Sequence, residues 1–141
     1  MPFWEFLDYV TDSGRVPVED WVVNHLTTEE RAEFDAAVDY LQRIYDWDSL
    51  PRARRKYKEL QRELAGLTEL RFSRTVQSGG RNRKTHFRPL GIMNRNDHRF
   101  ILLGGFQKGR PNPIPGNAHE LALRYKQEYE EGRGSTNAHK A

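Results

Sequence analysis

The sequence predicts a single α+β domain, in which helices are carried on an antiparallel sheet. Three observations point there. The chain has 141 residues, enough for one compact domain. Hydrophobic positions recur at helical spacing in two blocks and at strand spacing in others. Clusters of Gly, Asn, Asp and Pro separate these blocks.

The elements follow in order. Phe3 to Val10 is aromatic and β-branched around Glu5 and Asp8, which predicts a strand ended by Thr11-Asp12-Ser13-Gly14. Pro17 suits a first helical turn, so Val18 to Leu26 is expected as a short helix. Thr27 with Glu30 offers a capping box, and Phe34, Ala37, Val38, Leu41, Ile44 and Tyr45 continue at helical spacing. The two helices together predict a helical hairpin resting on one side of the sheet. Trp47 to Arg55 is expected as a loop or loose turn around Pro51, and Tyr57, Leu60 and Leu64 as a short helical stretch before Gly66.

Leu70 and Phe72 alternate with Glu69, Arg71 and Ser73, the period of a half-buried strand. Gln77 to Lys84 is expected as a glycine-rich, mobile basic hairpin loop, and His86 to Met93 as a strand with pairing weakened at Pro89. Asn94 to Asp97 forms a turn before the apolar run Phe100 to Phe106, the central strand. Beyond the linker Pro111 to Gly116, a last helix starts near Asn117 and presents Ala118, Leu121, Ala122, Tyr125 and Tyr129. The expected order is β-α-α-β-β-β-α over residues 1–130, with residues 131–141 a disordered tail.

Hydrophobic residues are only 36% of the chain, so the surface is heavily charged. Its net charge of +3 is unevenly distributed. Residues 1–50 hold 3 Lys/Arg against 12 Asp/Glu, residues 51–110 hold 16 against 4, and the remainder balances at 4 against 4. A cationic segment on an acidic support suits a polyanionic partner. The absence of cysteine excludes disulfides and thiolate chemistry. The five histidines lack metal-ligand spacing, so neither a metal nor another cofactor is expected. The N-terminal run lacks a basic flank, and no stretch reaches the roughly 18 apolar residues of a membrane span. A cytoplasmic protein without membrane contact is expected.

Metal-free cleavage of RNA needs a base for the ribose 2′-OH, cations for the phosphorane-like transition state, and a proton for the leaving oxygen. His86 and Arg88 are two apart on one strand and should share a face. Arg71 on the preceding strand, and Lys108 with Arg110 after the following one, could converge on them, with His119 near the start of the last helix. Any one of these, alone, is most often a solvated side chain. Tyr57, Phe72, Phe87 and Phe106 could stack on bases, but their alternation fits a core better.

Several runs then show a family resemblance. Gly14 to Trp21, Arg31 to Phe34, Gly66 to Phe72, Leu102 to Lys108 and Ala122 to Tyr125, in that order, resemble the phage-derived branch of the RelE/HigB toxins. The resemblance spans roughly residues 3–130. It implies a microbial-RNase-type fold and the toxin of a toxin–antitoxin module, a ribosome-dependent mRNA endoribonuclease that inhibits translation. Implied partners are a cognate antitoxin of helix-turn-helix type, the ribosome and mRNA.

By the same resemblance, Arg71 contacts phosphate, and Lys108 and Arg110 belong to a basic patch. Lys56 and Lys58 match basic residues ahead of the strand. Catalytic candidates are therefore Arg71, His86, Arg88, Lys108 and His119. RNA-binding candidates are Arg54, Arg55, Lys56, Lys58, Arg81, Arg83, Lys84 and Arg110. The chain departs from the family by having PNPIPG where a tyrosine usually follows the final strand, and Phe87-Arg88 where Tyr-Arg is usual. These departures admit an alternative that binds without cutting: a ParE-like inhibitor of a replication enzyme, or a phage nucleic-acid-binding protein.

Overall fold

In the computed structural model, which describes residues 2–109 and 111–140 apart from the Ser78 side chain, the strongest local signals produce the elements they encode. Strand β1 (Glu5–Val10) is followed by helices α1 (Pro17–His25) and α2 (Thr28–Gln42). The capping box forms: Glu30 N–H donates to Thr27 Oγ1 at 3.2 Å, and Thr27 N–H donates to Glu30 Oε1 at 2.9 Å. Loss of the Thr27 hydroxyl would cost about 1 kcal/mol.

Next come the four-residue helix α3 (Pro51–Arg54), strands β2 (Tyr57–Glu59), β3 (Thr68–Leu70) and β4 (Phe72–Ser78), then β5 (Arg81–Asn94) and β6 (Arg99–Gln107). Helix α4 (Ala118–Glu130) and strand β7 (Ser135–Ala138) close the chain.

Among the described residues, seven strands make one sheet in the order β2-β3-β5-β6-β1-β7, with β4 also on β5. The class is α+β, but the sheet is mixed, because β1 runs parallel to β6. The expectation of an all-antiparallel sheet is corrected there. Such a pairing joins segments about ninety residues apart, and no hairpin turn announces it.

Helices cover both faces rather than one. Trp4, Phe6, Phe72, Phe87 and Phe100 pack with Val18, Trp21, Phe34 and Leu41 of α1 and α2. Leu67, Leu90, Ile101, Leu103 and Phe106 pack with Ala118 and Ala122 of α4. Central β6 therefore buries side chains on both sides, as its apolar run requires. Gly105 sits where a Cβ would lie 2.7 Å from the Trp21 ring, so glycine there admits α1 to the sheet. The two N-terminal helices are joined through Leu26 and Thr27, pack in one core cluster on the sheet, and meet edge-on through Trp21 and Phe34 at 6.0 Å.

Three further expectations change. Tyr57–Glu59 is a strand, and only Arg62–Leu64 makes a single 3-10 turn, because Tyr57 pairs with Leu70 across the sheet. The hairpin expected at Gln77 to Lys84 forms, but as paired strand rather than loop: β4 and β5 continue through it to a two-residue turn at Gly79-Gly80, with φ of 58° and 76°. Two consecutive left-handed residues are what a tight hairpin turn of this twist demands. The tail is not disordered along its length, since β7 lies antiparallel on β1, Leu7 opposite Ala138 and Val10 opposite Ser135.

Candidate functional site

The sheet register brings together most of the residues singled out for chemistry. Directly opposite residues of neighbouring antiparallel strands share a face. Ser73 lies opposite His86, and Arg88 opposite Phe106. One step beyond the Phe87–Gln107 pair, the Lys108 N–H donates to the His86 carbonyl at 2.9 Å. The same register holds at Glu69–Leu90 and at Phe72–Phe87, which places Arg71 opposite Arg88. The sheet therefore carries a row of Ser73, His86 and Lys108 beside a row of Arg71, Arg88 and Phe106. His119, from the first turn of α4, lies on Phe106 with ring centroids 4.6 Å apart.

Pro89 explains the break at Arg71 between β3 and β4. Lacking an N–H, it removes a ladder bond opposite Leu70, while on the β2 side the Arg71 N–H donates to the Lys56 carbonyl at 2.8 Å. That bond ties the basic stretch ahead of β2 to the site. Arg52, Arg55 and Lys56 face Arg71, His86 and Arg88 across a groove of about 560 Å³, whose other wall includes Glu33 and Tyr40 of α2. Arg52 and Lys56 lie over the Tyr40 ring at 5.1 and 5.5 Å.

The sequence reading missed Glu69. This carboxylate is buried, receives Arg71 Nη2 at 3.2 Å and Arg71 Nε at 3.3 Å, and has Arg88 Nε 3.8 Å away. It had a signal, since Glu69 and Arg71 are two apart on one strand path and must share a side. Burial pushes the Arg88 pKa down, the Glu69 charge opposes that, and Arg71 adds repulsion. A guanidinium remains charged through such a shift. Burial also pushes His119 below the usual histidine value, against an opposing pull from Glu69. A depressed imidazole is neutral near pH 7 and can accept a proton.

The chain matches no family model, no curated protein and no solved structure.

The remaining candidates are dispersed. Arg54 packs over the Tyr57 ring at 4.7 Å and donates to the Tyr57 carbonyl, away from the groove. Lys58 is exposed on β2, opposite Glu69 in register. Arg81, Arg83 and Lys84 are exposed on the arm formed by β4 and β5, and form no ion pair among the described residues. Arg110 lies outside the described residues.

Tyr57, Phe72, Phe87 and Phe106 are all buried, and none offers a ring face for a base. The Tyr57 hydroxyl donates to Asp48, and burial with that carboxylate raises its pKa to about 12. Arg95 clamps the same carboxylate with Nε at 2.9 Å and Nη2 at 3.0 Å, and reaches Glu59 at 2.5 Å, a bracing network rather than a reactive one.

Proposed function

We propose that the protein is the endoribonuclease toxin of a toxin–antitoxin module, cutting ribosome-bound mRNA without a metal through attack of the ribose 2′-OH. The convergence of Arg71, His86, Arg88, Lys108 and His119 on one sheet face, beside a cationic groove, is the observation that carries it. Arg71 and Arg88 have the fork geometry to hold a phosphate and the charge developing on it. Neutral His119 has the protonation state of a base for the 2′-OH. His86, two residues along from Arg88, is the group of that face able to return a proton to the leaving oxygen. Glu69 is a positioning residue that aims both guanidiniums. The ribosome as site of action, and an antitoxin of helix-turn-helix type, rest on the family resemblance.

Expression without an antitoxin should arrest growth, and primer extension should find new 5′ ends within translated mRNA. Arg71→Ala should lower cleavage at least 100-fold while leaving the circular dichroism spectrum unchanged. Full cleavage in that variant would remove Arg71 from the site. A second reading is binding without cutting, favoured by the ion pairs that Glu69 already makes with both arginines. Growth arrest with intact mRNA would select it.

A further inference from the structure

The groove beside Arg71 and Arg88 carries one group at odds with its charge. Arg52, Arg55, Lys56, Arg71 and Arg88 line it, five cations against a single lining carboxylate, Glu33. Arg71 and Arg88 share the buried Glu69. Glu33 is exposed and makes no hydrogen bond or ion pair among the described residues, so none of the five cations occupies it. A carboxylate there weakens the attraction of every phosphate the groove could hold. It helps binding only where a ligand brings N–H donors to it, because an ionised carboxylate can only accept.

The α2 wall leaves room for a base to reach it. Glu33, Ala36, Ala37 and Tyr40 recur at i, i+3, i+4 and i+7 and form one helix face. The two alanines end at Cβ, so between Glu33 and Tyr40 the wall is recessed over about 10 Å of helical rise. The groove, at about 560 Å³, falls within the roughly 300–1,000 Å³ of sites that hold one small ligand. A matching ligand carries anions toward the cations and donors toward α2, as a nucleotide does. Among the RNA bases only guanine sets two donors side by side, N1–H and the N2 amino group, to meet both oxygens of a carboxylate. Adenine and cytosine place an acceptor ring nitrogen beside their amino group, and uracil flanks its N–H with carbonyls; these acceptors repel a carboxylate. We propose that the groove selects guanosine, with Glu33 accepting from N1–H and the N2 amino group while Arg71, Arg88 and the neighbouring cations hold the adjoining phosphates. This assignment rests on the groove being an RNA site, and adds the base it takes.

The test is calorimetric titration of the full-length protein with nucleoside 3′,5′-bisphosphates, which carry a phosphate on either side of the nucleoside. Guanosine bisphosphate should bind at least about tenfold tighter than the inosine form, which lacks only the N2 amino group, and than the adenosine, cytidine and uridine forms. Glu33→Ala, at an exposed helix position, should weaken guanosine bisphosphate at least about tenfold. The same variant should hold the adenosine form at least as tightly as the parent does, since a repelling charge is gone. Equal affinity for all bases in the parent, unchanged guanosine affinity in Glu33→Ala, or an equal loss for guanosine and adenosine would overturn the assignment and leave the groove an RNA site. Failure of every bisphosphate to bind would overturn both. A guanosine preference lost in Glu33→Ala, in a protein that leaves translated mRNA intact, would sustain the assignment and overturn cleavage alone.

Discussion

Glu69 sets the electrostatic balance of the sheet face. Its carboxylate and the Arg88 guanidinium are each about nine-tenths buried, at 11% and 12% side-chain exposure, so removing one charge strands the other in a poorly solvated place. Glu69→Gln should therefore destabilise the protein by about 2–4 kcal/mol, read as a lower urea midpoint. The more exposed Arg71 should cost under about 1 kcal/mol when replaced by Ala. His119 makes a pH-dependent contribution of definite sign. Its folded pKa lies below the ordinary value of 6.5, so the unfolded chain takes up the proton first as pH falls. Stability is full above the unfolded pKa and declines as pH drops through 6.5 toward the folded value. In His119→Phe the stability loss between pH 7 and pH 5 should be smaller than in the parent; an equal loss would remove His119 as its source. None of this was legible from composition. Arg71, His86, Arg88 and Lys108 were legible as a set because strand alternation fixes faces, whereas Glu69 was hidden because a carboxylate in a half-polar strand is ordinarily solvated.

At the scale of elements, the arm of β4 and β5 follows a rule that pattern reading could not apply. Its residues are polar on both faces, so neither period nor hydrophobicity marked them as strand, and only the Gly79-Gly80 pair betrayed the turn. Lys84 shares the face of His86 and Arg88, since the three alternate along β5 at a repeat of about 6.8 Å. The charges project from a paired two-stranded ribbon and should track a phosphodiester backbone. Replacing Arg81, Arg83 and Lys84 together by Ala should reduce the slope of log affinity for single-stranded RNA against log salt by about 2, measured by fluorescence anisotropy. An unchanged slope would place the arm away from RNA. The capped α2 and the apolar β6 were legible for the opposite reason: local chemistry and burial on two faces leave strong, short-range signals.

For the whole molecule, strand β7 forms one edge of the sheet, beside β1. Ser135-Thr136-Asn137-Ala138 has no apolar alternation, so its place was illegible; backbone pairing with β1 and the His139–Asp8 contact supply what side-chain burial does not. The His139 N–H also donates to the Phe6 carbonyl at 2.9 Å. A chain ending at Glu131 should lose about 2–4 kcal/mol of stability, on the basis of about 1 kcal/mol for each ladder bond removed. Thermal denaturation checks this, and an unchanged midpoint would show the strand to be incidental. No helix among the described residues is long and apolar enough to cross a membrane.

The pairing of β1 with β6, parallel, and with β7, antiparallel, has a temporal consequence. Strand β1 precedes both of the strands it pairs with by about ninety residues or more. Until residue 107 has been added β1 has no strand beside it, and until residue 138 it keeps one bare edge. Such distant contacts raise contact order and slow folding, and an unpaired edge in a waiting chain invites pairing with other chains. The excess of acidic residues over residues 1–50 gives segments that wait for these partners a like-charge repulsion that opposes such pairing.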